Sequence, residues 1–205
     1  MRKVFGIGLA AAMVLSGAPA FAADAVAADA GGEAAMALHA AAATLKPNNF
    51  VWNDAGLVDP VTIVVSLPQQ RAYVYRGTAL IAATAVSTGR DDKATPVGVY
   101  PILQKAEVHR SNLYANASMP YMQRLTWDGI ALHAGKNPGF PDSHGCVRLP
   151  AAFAKKLFEV TDLGTTVVVT DREVEPGALD LELTRTEAQR ANEAQLAALA
   201  PVLVP

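Results

Sequence analysis

From Val61 onward, β-branched and aromatic residues arrive in short runs separated by polar breaks, a texture that predicts strands rather than helices. Val61–Ser66 and Arg71–Arg76 are the clearest runs, and Arg76-Gly77-Thr78 is a turn into a third, Ala79–Ser87. Thr88–Pro96 is polar and carries Gly and Pro, so it reads as a loop before Val97–Leu103 resumes the strand pattern. Residues 104–121 follow neither the strand nor the helix period, the mark of a long lid or binding loop. Met122–Trp127, Asp128-Gly129 and Ile130–His133 then read as strand, tight turn, strand. After a loop over Gly135–Asp142, Pro150 opens a helical stretch in which Phe153, Leu157, Phe158 and Val160 share one face. Thr165–Thr170 is a last strand, so the expectation is one mainly β domain over residues 57–172 with one helix, α+β overall.

The flanks carry a different pattern. Met1-Arg2-Lys3, an apolar run to Leu15 and Ala20-x-Ala22 give the three-part layout of a secretory signal peptide, residues 1–22. The apolar run is shorter than the ~20 residues a membrane span needs, so no transmembrane segment is expected after cleavage. Residues 23–56, rich in alanine and poor in large apolar side chains, read as a flexible tether with at most a short helix near Glu33–Thr44. Residues 173–205 read as a tail beyond the core, with one alanine-rich helix opened by a Thr184-x-x-Glu187 capping box.

Charge and composition narrow the function. The net charge is −2 with the cations scattered, which gives no footprint for nucleic acid, and no polybasic membrane patch is present. Hydrophobic residues make up 51% of the chain, enough for a packed core. Cys146 is the only cysteine, so an exported chain cannot close an internal disulfide. That thiol is buried and inert, paired with another chain, or kept for chemistry.

A catalytic thiol needs a base or an electropositive site, because at neutral pH it is mostly protonated. Two histidines stand close in sequence: His144, two residues before Cys146, and His133 at the end of a strand. Gly145 argues for a turn between His144 and Cys146, so His133 is the expected base and His144 a support for the pocket and loop. Gly145 lets the backbone approach a substrate and contributes amides for an oxyanion, the following helix points its positive end at the thiolate, and Arg148 offers a partner for an anion. His39 and His109 read as ordinary surface histidines. A zinc site of His133, His144, Cys146 and Asp142 is the competing arrangement, although His-x-Cys is not a usual zinc spacing. The residues alone therefore stop at an exported cysteine acyltransferase or hydrolase.

Ser143-His144-Gly145-Cys146, Ile130-Ala131-Leu132-His133, Ser87-Thr88-Gly89 and Thr95-Pro96-x-Gly98 together resemble the signatures of the L,D-transpeptidase catalytic domain, the YkuD-like family of bacterial cell-wall enzymes. The Val64–Tyr75 stretch is similar to that family's opening hairpin, and the likeness covers about residues 60–170. Arg148 stands where the family motif commonly has Asn, a variant that resembles many Gram-negative relatives. The resemblance implies a β-sandwich-like fold, no cofactor, and a peptidoglycan stem peptide as substrate. It implies Cys146 as nucleophile and His133 as general base and acid, with its ring oriented by a backbone carbonyl such as that of Ala134. It also implies substrate contact by Ser143, Arg148, Met119, Tyr121 and Arg124, with Tyr114, Met119, Tyr121 and Arg124 on a lid.

Release of D-alanine and transfer of the acyl group to a second stem or to a protein lysine would make a crosslinking or lipoprotein-anchoring enzyme of the periplasm. Water as acceptor would make an L,D-carboxypeptidase or amidase. A non-catalytic wall-binding module is the reading of another class.

Overall fold

The computed structural model describes residues 33, 36–54, 56–175 and 177–199; the expected signal peptide lies outside them. The described chain forms two sheets. The larger has six strands in the order β1-β4-β3-β2-β10-β5, and the smaller has four in the order β6-β7-β8-β9. Their ranges are β1 Phe50–Trp52, β2 Val61–Ser66, β3 Arg71–Arg76, β4 Ala79–Ala85, β5 Gly98–Pro101, β6 Gln104–Ala106, β7 Met122–Arg124, β8 Ala131–Ala134, β9 Val147–Leu149 and β10 Thr166–Thr170. Pairing is antiparallel except at β2–β10 and β8–β9, which run parallel.

Alternation along the large sheet explains its position. Ile63, Val65, Ala72, Val74, Val167 and Val169 turn inward against Leu132, Ala134, Val147 and Leu149 of the small sheet. Helix α2, Ala151–Val160, fills that interior with Phe153, Ala154 and Leu157, all fully buried. Phe50 and Trp52 of β1 meet the Phe153 ring edge-on at 5.6 and 5.4 Å.

The opposite face of the large sheet is also covered, which corrects two expectations. Residues 36–43 form helix α1, whose Ala42 is wholly buried on Tyr73, Tyr75 and Val168. Arg71 donates from Nε to the Ala42 carbonyl and from an Nη to the Leu45 carbonyl, so a β3 side chain satisfies the end of α1. His39 is buried, stacks on Tyr73 at 5.2 Å and reaches the Val174 carbonyl at 2.8 Å. Much of the stretch read as a tether therefore packs on the domain, with Leu38 and His39 flanking the small Ala42 that lets the helix lie close to the sheet. The core likewise continues past residue 172, since Val174 and Leu179 are 7% and 6% exposed.

Three local readings also change. β6 and the short β9 fall in stretches without a strand period, and both are held by partners in the small sheet. Helix α3, Glu187–Leu199, is capped by Thr186 and Gln189 rather than Thr184 and Glu187: Thr186 Oγ1 accepts from the Gln189 amide and Gln189 Oε1 accepts from the Thr186 amide. Residues 107–121 are a narrow hairpin rather than an irregular loop, with Tyr121 N–H on the Glu107 carbonyl, Met119 N–H on that of His109 and Ser111 N–H on that of Ala117.

Candidate active site

The small sheet and that hairpin enclose a cleft of about 420 Å³ lined by residues of the lid, β7, β8 and the 143–148 stretch. Cys146, half-buried, immediately precedes β9, and His133 lies on the neighbouring parallel strand β8. Parallel pairing of Leu132 with Val147 and of His133 with Arg148 brings the two segments side by side although the chain separates them by a loop. Both Cys146 and His133 face the cleft.

His133 is 8% exposed, and its Nδ1 lies 2.8 Å from the Ala134 carbonyl. A carbonyl only accepts, so Nδ1 carries the proton and Nε2 keeps its lone pair. Burial pulls the His133 pKa down, against the Ala134 carbonyl, which raises it; the positive charges of Arg148 and His109 lower it further. Burial also pushes the Cys146 thiol up, while the Ala131 amide, Arg148 and Arg124 oppose the rise. The pair is thus neutral thiol and neutral imidazole at pH 7. The thiol donates to the Gly129 carbonyl at 3.3 Å, and no hydrogen bond joins it to His133.

The loop around the nucleophile is braced from below. Ser87 exchanges both backbone hydrogen bonds with Arg148, and Ser143 donates its amide to the Thr88 carbonyl. Gln70 holds Thr88 in turn, donating from Nε2 to Thr88 Oγ1 at 2.7 Å and accepting from the Thr88 amide at 3.0 Å. Gly89 allows this approach, since a Cβ there would stand 2.0 Å from the Lys93 carbonyl oxygen.

The other expected site residues divide. Ser143 is buried, with its Oγ donating to the Cys146 carbonyl and accepting from the Gly145 amide at 3.1 Å. That spends the one proton of the Gly145 amide, so Gly145 cannot donate it to an oxyanion as expected. His144 is exposed at the mouth, 3.2 Å from an Arg90 nitrogen and stacked under Tyr114 of the lid at 4.6 Å. Met119 lines the cleft and packs with Met122 and Ala131 beside Cys146. Arg124 lines it too, held by Gln104 and lying over the Trp127 ring.

Arg148 reaches the cleft while paired to Asp142 at 2.9 Å. Tyr121 does not line the cleft: its ring meets Phe158 edge-on at 5.9 Å and packs on the main core. Nor does α2 aim its positive end at the sulfur, because β9 intervenes between Cys146 and Ala151 and a helix end acts only within about a turn. His109, read as a surface residue, is half-buried and lines the cleft.

The L,D-transpeptidase catalytic domain model, YkuD, matches residues 60–169. An L,D-transpeptidase from Stackebrandtia nassauensis has the same fold at 32% identity and a TM-score of 0.51, over 58% of this chain and 58% of that one. An L,D-transpeptidase from Mycobacterium tuberculosis H37Rv matches at 25% identity and 0.51, over 54% and 57%. L,D-transpeptidase 3 from Mycobacterium tuberculosis, solved in complex with a faropenem-derived adduct, shares the fold at 23% identity and 0.50, over 54% and 60%. The chain thus spans less than two thirds of the length of these structures, and no curated protein sequence matches it. With its matched region running from β2 to β10 and containing the whole cysteine–histidine cleft, the chain belongs to the YkuD family of L,D-transpeptidase catalytic domains.

Proposed function

We propose that this chain is an exported, periplasmic L,D-transpeptidase that remodels peptidoglycan, with Cys146 as nucleophile and His133 as general base and acid. The observation that carries the reading is the lone thiol sharing a cleft with a buried histidine whose Nδ1 is bound to the Ala134 carbonyl. That bond leaves Nε2 as the basic nitrogen, the form a general base requires.

The thiol leaves the Gly129 carbonyl and gives its proton to His133 Nε2 as sulfur bonds to the carbonyl carbon of the third stem residue. Collapse of the tetrahedral adduct breaks the bond to the terminal D-alanine, whose amine takes the proton from His133. An acceptor amine then attacks the thioester, His133 removes its proton, and the thiol is restored. Arg124, Lys136 and Arg148 line the cleft and suit the carboxylates of a stem peptide; Ser143 and His144 hold the loop. The acceptor is a second stem or a lysine of an anchored lipoprotein.

The test is covalent. Faropenem should add its mass to the wild-type chain, and Cys146→Ala should abolish the adduct, read by intact-mass spectrometry. An adduct on Cys146→Ala would sink the assignment. Muropeptide analysis with and without an added amine separates transfer from hydrolysis to an L,D-carboxypeptidase product.

A further inference from the structure

Beneath the nucleophile loop lies a buried hydroxyl that the mechanism above does not use. Thr95 is 2% exposed, and its Oγ1 accepts from the Gly89 amide at 2.9 Å and donates to the Gly145 carbonyl at 2.8 Å. Neither Thr95 nor Gly145 lines the cleft, so this carbonyl points away from the reacting side. The peptide unit joining Gly145 to Cys146 is planar and trans, which sets its N–H opposite its C=O. With the carbonyl pinned on the buried side, the Cys146 N–H faces the cleft.

Two facts leave that N–H free for a ligand. Among the described residues, none accepts a hydrogen bond from it. The preceding amide, that of Gly145, is committed to Ser143 Oγ, and Ser143 also holds the Cys146 carbonyl. Those bonds, with the Thr95 hydroxyl on the Gly145 carbonyl, hold the peptide in this orientation, and only glycine fits at 145, where φ is 116° and a Cβ would stand 2.7 Å from the end of the Ile130 side chain. The loop is therefore clamped from below by Thr95 and from the side by Ser143.

Building on the L,D-transpeptidase reading, we propose that Thr95 is a positioning residue for the oxyanion: its hydroxyl holds the Gly145 carbonyl so that the Cys146 N–H meets the oxygen of the reacting carbonyl. As sulfur adds to carbon, the C=O electron pair moves onto oxygen, and the Cys146 N–H donates to that growing negative charge. No co-reactant is involved. The donor is fixed before reaction, so no reorganisation is needed when the charge appears.

The experiment compares two reagents on the full chain carrying Thr95→Val or Thr95→Ser. Iodoacetamide alkylates a thiol by displacement at carbon and makes no oxyanion, so it reports the thiol alone. Faropenem acylates through a tetrahedral intermediate and reports the donor. Thr95→Val should keep iodoacetamide reactivity within about twofold of wild type while its acylation rate falls by about 10²-fold, the cost typical of one oxyanion donor. Thr95→Ser, which keeps the hydroxyl, should recover acylation to within a few-fold. Equal losses with both reagents would overturn the proposal, because the hydroxyl would then only hold the loop, and so would unchanged acylation in Thr95→Val. A wild-type chain that alkylates at Cys146 and never acylates counts against the parent reading instead, leaving the two failures distinguishable.

Discussion

At the scale of single residues, the neutral state of the Cys146–His133 pair sets how activity depends on pH. Only neutral His133 can accept the thiol proton, and burial together with Arg148 and His109 holds its pKa below the ordinary histidine value. In the proposed mechanism, activity is expected above that lowered pKa and is expected to be lost as pH falls through it. The acid limb of acylation against pH should have its midpoint below about 6.5, the value of an unperturbed histidine. A midpoint at or above it would remove His133 from that role. Cys146, His133 and Arg148 were legible in the sequence because motif and neighbours mark them. His109 was not, since residues 104–121 follow no period and nothing near it told which way it faces. Tyr121 was misplaced for the same reason: at φ 54° the backbone turns its ring toward Phe158 and away from the cleft. Arg148 is anchored by Asp142 in a half-exposed ion pair, an arrangement that fixes a cation's direction more than it stabilises the fold.

At the scale of elements, the strands of the large sheet could be read from their β-branched runs, and β2, β3, β4 and β10 lie where those runs predict. β6 and β9 are three residues each, too short to show a period, and they exist because neighbouring strands supply their hydrogen bonds. α1 was underestimated because its buried face is short and mixed, Leu38, His39 and Ala42, which carries little hydrophobic signal, yet the small Ala42 permits close approach to Tyr73 and Tyr75. Its docking depends on Arg71, whose donors serve two carbonyls at the helix end. Arg71→Met should cost about 1 kcal/mol in urea unfolding, the typical net worth of such a hydrogen bond, because the Ala42 carbonyl keeps the Leu45 N–H while the Leu45 carbonyl loses its donor. Acylation of Cys146 should be little changed, since α1 covers the face turned away from the cleft; a loss below about 0.5 kcal/mol would show that α1 docks without this contact.

At the scale of the whole molecule, the two flanking segments differ sharply. Val174, Leu179 and Leu183 continue the outer core, whereas residues 187–196 of α3 are exposed on every side, the helix joined back to the chain by Arg185–Glu193 at 2.7 Å. Truncation after Thr186 should leave the thermal midpoint within about 2 °C, because every described side chain over 187–196 is exposed; a larger drop, read by differential scanning fluorimetry, would assign this segment a packing role. The other flank behaves differently. After α1 the chain turns at Pro47-Asn48, where Asn48 Nδ2 donates to the Asn137 carbonyl at 3.1 Å and Pro47 lies against Gly139, in the loop that leads to Cys146. In mechanical terms, any pull arriving from the N-terminal side meets α1 first and passes through Arg71 into β3, in the interior of the six-stranded sheet. The turn at residues 47–48, and the loop it steadies, lie downstream of that anchor. A pull on the N-terminal side would therefore load α1 and the six-stranded sheet before it reached the loop that leads to Cys146.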